Sequence, residues 1–269
     1  MLWKRVATSV LLIPIIWAAA WFSQAPVPWF TIVMAIWALG ALFEFYRIAG
    51  ATGKCCPLTY PGLALALLLI IQPLFDRPGL DWLALSLAVI LPLIWVMLQR
   101  DISTAFVSWA WTLAGIMYLG WLASHYIALR GLDYGREWVI FTLFATFVSD
   151  SSAYFVGRAV GRHQMSPAIS PKKTWEGAAG GIIGAVIASI ILQWWLNLPV
   201  SYIEIALLGA AVSAFGQIGD LVESLFKRNT GAKDSSNALP GHGGFLDRID
   251  SVVFAGALVY YYVMFVLPA

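Results

Sequence analysis

The segment from 220 to 250 gathers Asp220, Glu223, Ser224, Lys227, Arg228, Lys233, Asp234, His242, Asp247, Arg248 and Asp250 in an otherwise apolar chain. Asp220 and Ser224 stand four residues apart at the end of an apolar run, so a helix would place them on one face. Asp247 and Asp250 stand three apart at the start of another apolar run, again on one helical face. Between them lies a loop, Asn229–Gly244, that closes on Leu239-Pro240-Gly241-His242-Gly243-Gly244. Grouped carboxylates suit a hard divalent cation. Lys and Arg beside them suit phosphate oxygens, and glycines let backbone N–H groups come close to a phosphate. The combination points to metal-assisted phosphoryl or nucleotidyl transfer. A charged interfacial loop whose acids and bases pair with each other is the plainer alternative. Acids as close to apolar segments as Asp220 and Glu223 weigh against it, because they are costly there and usually functional.

A second polar connection has related chemistry. It contains Asp150-Ser151-Ser152-Ala153-Tyr154, then Gly157-Arg158, Gly161-Arg162-His163 and Ser170-Pro171-Lys172-Lys173-Thr174-Trp175-Glu176-Gly177. Ser170-Pro171 breaks the chain ahead of a new helix that Thr174 is placed to cap. Lys172 and Lys173 before that helix suit an anion, although simple anchoring at a membrane surface explains them equally well. Gly177, Gly180, Gly181 and Gly184 have the small-residue spacing of closely packed helices. His125 and His163 have no partner at metal-ligand spacing and read as ordinary interfacial residues.

The elements that must position these groups are membrane-spanning. Hydrophobic residues make up 61% of the 269 and charged residues 11%, against about 45–50% and about 25% in soluble domains. That much apolar surface has to face lipid or other helices. Spans of ~20 residues are needed to cross the hydrocarbon core, and about nine are legible by that rule: Val6–Phe22, Val27–Tyr46, Leu58–Phe75, Leu80–Leu98, Thr104–Ala123, Trp138–Phe155, Gly177–Leu196, Ile203–Phe226 and Ser251–Val266. Their continuity excludes the alternation of barrel strands and predicts an all-α polytopic bundle. Lys4-Arg5 followed by Ala18-Ala19-Ala20 also fits a signal peptide, but the apolar run continues past that site.

With the N-terminus in the cytoplasm, thirteen of the 16 basic residues fall on the inner side, leaving Arg77, Arg130 and Arg136 outside. Both polar connections, 156–176 and 227–250, then face the cytoplasm. The formal net charge of +2 gives no basic surplus for nucleic acid. Polar, Gly-rich stretches all follow residue 149, which argues against the matched halves of an inverted-repeat transporter. Adjacent Cys55 and Cys56 form no disulfide framework. One membrane domain is expected over 1–269, with a plain N-terminal bundle at 1–130 and a catalytic half at 137–269.

The spacing Ser224-x-x-Lys227-Arg228, Lys233-Asp234, Pro240-Gly241-His242-Gly243-Gly244, Asp247-Arg248 and Asp250 resembles the C-terminal signature of the phosphatidate cytidylyltransferase (CDP-diacylglycerol synthase) family. So many fixed positions in register make a specific match. Asp150, Ala153-Tyr154 and the Ser170–Gly177 stretch are similar to family elements too. The resemblance is tight over 149–251 and topological before that, and Ser236 stands where members commonly carry Gly. It implies transfer of CMP from CTP to phosphatidate, with release of pyrophosphate, at the cytoplasmic face of the cell inner (plasma) membrane. It implies Mg²⁺, with room for a second, monovalent cation, and a homodimer. Carried onto this chain, Asp220, Asp247 and Asp250 are the expected metal ligands. Ser224, Lys227, Arg228, Lys233, Asp234, His242 and Arg248 are the expected catalytic groups, and Lys173, Gly243 and Gly244 would bind nucleotide. A CTP-dependent polyprenol kinase and a lipid transporter are the rival readings. A third, the CDP-alcohol phosphotransferases, lacks support because their Asp-Gly-x-x-Ala-Arg motif is absent.

Overall fold

The computed structural model describes residues 18–22, 28–75, 77–99, 102–236, 238 and 243–267. Most of the expected first span, Val6–Phe22, lies outside the described residues, as do Pro240, Gly241 and His242 of the signature. The remaining elements are α1 (Trp29–Ala51), α2 (Thr59–Leu74), α3 (Leu80–Met97), α4 (Ala105–Gly131), α5 (Gly135–Val160), β1 (Gln164–Ser166), β2 (Ser170–Thr174), α6 (Trp175–Leu196), α7 (Tyr202–Asn229) and α8 (Asp250–Val266). A single 3₁₀ turn, Leu246–Arg248, precedes α8.

Six of these helices, α1 and α3 to α7, are long and apolar enough to cross a membrane, and α2 and α8 are shorter apolar helices. The protein is a multi-pass membrane helical bundle. Each of the eight expected spans from Val27 onward has its helix, because continuous apolar runs leave the backbone no partner but itself. The observed helices mostly run a few residues past the apolar windows, as at Gly135–Val160 and Tyr202–Asn229. Helical hydrogen bonding continues through the polar residues once the run has set it going.

The antiparallel hairpin β1–β2 pairs Gln164 with Thr174 and Ser166 with Ser170, and it was not anticipated. Its strands are too short and polar to show an apolar alternation. At its end Thr174 Oγ1 accepts the Gly177 N–H at 3.1 Å, which is the cap that the sequence suggested.

The chain divides into two compact units. The first comprises Met1–Gly131 with Lys227–Ile249, and the second comprises Leu132–Phe226 with Asp250–Ala269. In the first unit Leu65, Leu69, Ala84, Ala88 and Ile116 form an apolar core joining α2, α3 and α4. α4 contains a π-helical turn at Ile116–Trp121. Tyr46 of α1 donates to Thr112 O of α4 at 2.7 Å.

Within the second unit α5 and α6 pack closely through the expected small residues. A methyl group at Gly180 would come within 2.6 Å of Val156, and one at Gly177 within 2.9 Å of Ala153 O. Hydroxyls and amides bind these helices to α7: Ser149 and Ser213 hydroxyls are 2.7 Å apart, and Gln217 Nε2 donates to Ser213 Oγ and Ala178 O. Such bonds replace the hydrophobic drive that lipid does not supply.

The α1–α2 connection holds the two free thiols in different settings. Cys55 is buried with its Sγ 3.4 Å from Ala49 O, whereas Cys56 is exposed. Burial pushes the Cys55 thiol up from its ordinary pKa, so both access and thiolate content disfavour its reaction. A water-soluble disulfide reagent at neutral pH is therefore expected to modify Cys56 rapidly and Cys55 only on unfolding. Mass spectrometry of the labelled protein checks this, and equal labelling at both sites would contradict it.

Candidate active site

In the second unit, α7 presents Asp220 and Glu223 one turn apart, and α8 begins at Asp250. One carboxylate oxygen from each of Asp220, Glu223 and Asp250 lies within 4.8 Å of the other two. Glu223 and Asp250 are buried and Asp220 is half-buried. The approach of α7 to α8 depends on Gly219, since a side chain there would run into the Asp250 carbonyl oxygen and lie 3.0 Å from the Phe254 ring. Lys173, at the end of β2, ion-pairs with Asp220 Oδ2 at 2.8 Å. Ser224 Oγ stands 3.5 Å from Asp220 Oδ1, at the outer limit of a hydrogen bond.

Two unit charges 4 Å apart interact by about 4 kcal/mol at an effective dielectric of 20. Three converging carboxylates with one ammonium beside them therefore favour a further cation. The donors are all hard oxygens, which suits Mg²⁺ or a similar ion and not the nitrogen and sulfur sites of zinc. The residues present thus fit the metal that the resemblance implies. Asp220 and Asp250 were expected there. Glu223 had been noticed as an acid near the membrane but left out of the ligand set. Its three-residue spacing from Asp220, the same as that of Asp247 and Asp250, was the signal.

At the base of the β1–β2 hairpin, Glu176 accepts the backbone N–H groups of Arg162 and His163 and contacts His163 Nδ1 at 2.5 Å. His163 thus has a local structural partner in Glu176.

In the first unit, the segment after α7 returns to α1. Asp247 Oδ1 accepts from Lys227 Nζ at 2.8 Å. Asp247 Oδ2 accepts Gly244 N at 2.8 Å, Ser235 N at 3.3 Å and Ser235 Oγ at 2.9 Å. Gly243 adopts φ 81°, and a side chain there would also press on Asp247 Oδ2. Both glycines shape the turn around Asp247, and the Gly244 N–H is directed at that carboxylate. Arg228, Lys233, Asp234 and Arg248 are exposed.

Sequence reasoning missed Glu44 of α1. It is 4% exposed, and it accepts from Ser235 Oγ at 2.9 Å, Ser236 Oγ, Phe245 N at 3.1 Å and Leu246 N at 2.9 Å. One turn later Arg47 Nη2 donates to Ser235 O at 2.9 Å. Glu44 is the single charged residue of the span Val27–Tyr46. That isolation was the available signal, because a lone acid inside a span is expensive unless it is used.

Comparison with known proteins shows the family. Residues 3–266 match the Cytidylyltransferase family. The phosphatidate cytidylyltransferase of Bacillus subtilis (strain 168) is 38% identical over 268 residues, covering 96% of each chain. That of Staphylococcus epidermidis (strain RP62A) is 36% identical over 202 residues, 73% of this chain and 76% of its own. That of Brucella suis biovar 1 (strain 1330) is 42% identical over 151 residues, 56% of each chain. With agreement along nearly its whole length, the chain belongs to the cytidylyltransferase family.

Proposed function

We propose that this protein transfers CMP from CTP to phosphatidate, giving CDP-diacylglycerol and pyrophosphate. The observation that carries the reading is the convergence of Asp220, Glu223 and Asp250 beside Lys173, in a chain whose family transfers cytidylyl groups. An oxygen of the lipid phosphate forms the new bond to the α-phosphorus of CTP, and the bond from that phosphorus to the α–β bridging oxygen breaks. Pyrophosphate leaves with the electron pair. The lipid phosphate is already ionised near neutral pH, so no strong general base is needed and catalysis rests on positioning and charge.

Asp220, Glu223 and Asp250 would hold Mg²⁺, which when bound neutralises triphosphate charge. Asp247, the further ligand suggested by the signature, has its carboxylate oriented by Lys227, Gly244 and Ser235. Lys173, Lys227, Arg228, Lys233 and Arg248 are assigned to the phosphates of CTP and the lipid headgroup. Ser224, Asp234 and His242 are assigned to orienting them. We assign nine spans with the N-terminus in the cytoplasm, a catalytic half at 137–269 open to the cytoplasmic face of the plasma membrane, and a homodimer.

The test uses purified protein with radiolabelled CTP and dispersed phosphatidate, with Mg²⁺ or with EDTA. Labelled CDP-diacylglycerol and an equal amount of pyrophosphate are expected with Mg²⁺, and neither with EDTA. Release of CDP with a newly phosphorylated lipid would instead identify a CTP-dependent lipid kinase and overturn the reading.

A further inference from the structure

The segment 233–247 carries much of the signature, yet among its described residues there is no helix or strand element apart from the turn that begins at Leu246. What fixes it within the first unit is a stripe on α1: Trp37, Gly40, Glu44 and Arg47, at intervals of three and four residues and so on one helical face. Trp37 meets the Phe245 ring edge-on at a centroid distance of 5.5 Å. Gly40 leaves room for that ring, since a methyl group there would lie 3.0 Å from it. Glu44 then takes four donors from two stretches of the segment: the hydroxyls of Ser235 and Ser236, and the N–H groups of Phe245 and Leu246. Arg47 holds Ser235 from its carbonyl side. The Ser235 hydroxyl, 2.9 Å from both Glu44 Oε2 and Asp247 Oδ2, shares its single proton between the two carboxylates.

We infer that Glu44 is a positioning residue for the reaction: a latch on an N-terminal membrane helix that holds the signature segment, and through Ser235 the Asp247 carboxylate, in working geometry. Nothing in the signature itself supplies this function. A buried carboxylate with four donors is a charge-assisted network, and such a network is costly to leave half-made. Its partners lie 191 to 202 residues away in sequence, so the N-terminal bundle is part of the catalytic apparatus as well as a membrane anchor. Ser236, which stands where the family commonly has Gly, gives the latch a hydroxyl donor that a glycine would lack.

The activity arm of the test rests on the cytidylyltransferase reading, and the exchange arm does not. Hydrogen exchange and turnover are measured on full-length protein in detergent for wild type, Glu44→Gln and Glu44→Asp. In Glu44→Gln the amide loses charge and turns an N–H group towards donors. Exchange over 243–249 is expected to rise at least ~10-fold, while α2 and α3 keep wild-type protection. Turnover should fall at least ~10-fold, and Glu44→Asp should recover part of both effects together.

Wild-type protection of 243–249 in folded Glu44→Gln would overturn the inference. So would wild-type turnover, or an exchange increase spread evenly over the unit's helices. If Glu44→Gln does not fold, Ser236→Ala removes one donor alone. It should raise exchange over 243–249 by ~3-fold with a parallel loss of turnover, and no change in either would overturn the latch. A wild-type protein that makes no CDP-diacylglycerol would defeat the functional reading and leave the exchange arm to judge Glu44.

Discussion

Asp220→Asn is expected to lower turnover at least ~100-fold at low millimolar Mg²⁺, and to raise the Mg²⁺ concentration for half-maximal activity by at least ~10-fold. The substitution removes one of three carboxylates that converge within 4.8 Å. It also takes away the ion-pair partner that Lys173 has at 2.8 Å. Even supporting groups around metal ligands cost about 10–100-fold in affinity when removed, so loss of a ligand should cost no less.

A second readout separates this from general damage. A cation that binds only the folded state stabilises it by about 2.7 kcal/mol at 100 times its dissociation constant. Wild-type protein should therefore unfold at a higher temperature in Mg²⁺ than in EDTA, and Asp220→Asn should lose most of that increment. In EDTA the variant should unfold close to the wild-type temperature, since loss of the Lys173 pair is offset by relief of repulsion from Glu223 and Asp250. The same substitution at the exposed Asp234 should leave the Mg²⁺ increment intact. An unchanged increment in Asp220→Asn would remove Asp220 from the metal role.

Gly219→Ala should be nearly as damaging although it touches no charge. The added methyl group would meet the Asp250 carbonyl oxygen, with its carbon at 3.2 Å and the Phe254 ring at 3.0 Å. A backbone carbonyl cannot swing aside, so α7 and α8 must move apart and carry Asp220 away from Asp250. Overpacking of this kind costs about 1–3 kcal/mol, and a displacement of ~1 Å at a reacting centre can cost ~100-fold in rate.

Gly216 provides the control one turn earlier. Its nearest neighbour to an added methyl is Ser251 Cβ at 3.6 Å, an ordinary contact. Gly216→Ala should retain near-wild-type turnover and is compared directly by thermal unfolding, where alanine's better helix propensity contributes up to about 1 kcal/mol in its favour. Equal effects at both positions would show that close approach at Gly219 is not what sets the geometry.

The extent to which the fold was legible follows from what each element depends on. The helices from Trp29 to Val266 follow from runs of apolar residues, a local property that backbone desolvation enforces whatever the partners. Thr174 was likewise legible as a cap, because a hydroxyl acts on an N–H only three residues away. The β1–β2 hairpin was not, since its pairing joins short polar stretches that carry no periodic signal. Glu44 shows the same limit more sharply: its isolation in a span was a signal that went unread, and its donors are Ser235, Ser236, Phe245 and Leu246, far along the chain.

The amino-acid sequence by itself determined that this is a helical membrane protein, and it gathered the scarce charges into two polar segments whose residue types suit phosphates and a hard cation. Composition and spacing are enough for that, because lipid solvation and ligand chemistry act on residue types. Only the tertiary structure decided which carboxylates meet. Asp220 and Asp250 are joined by Glu223, while Asp247 is held in the first unit by Lys227, Ser235 and Gly244. The physical reason is that helix rotation and approach are set by close contacts such as Gly219 against Asp250 and Gly40 against Phe245. Those contacts join residues distant in sequence, and no local period records them.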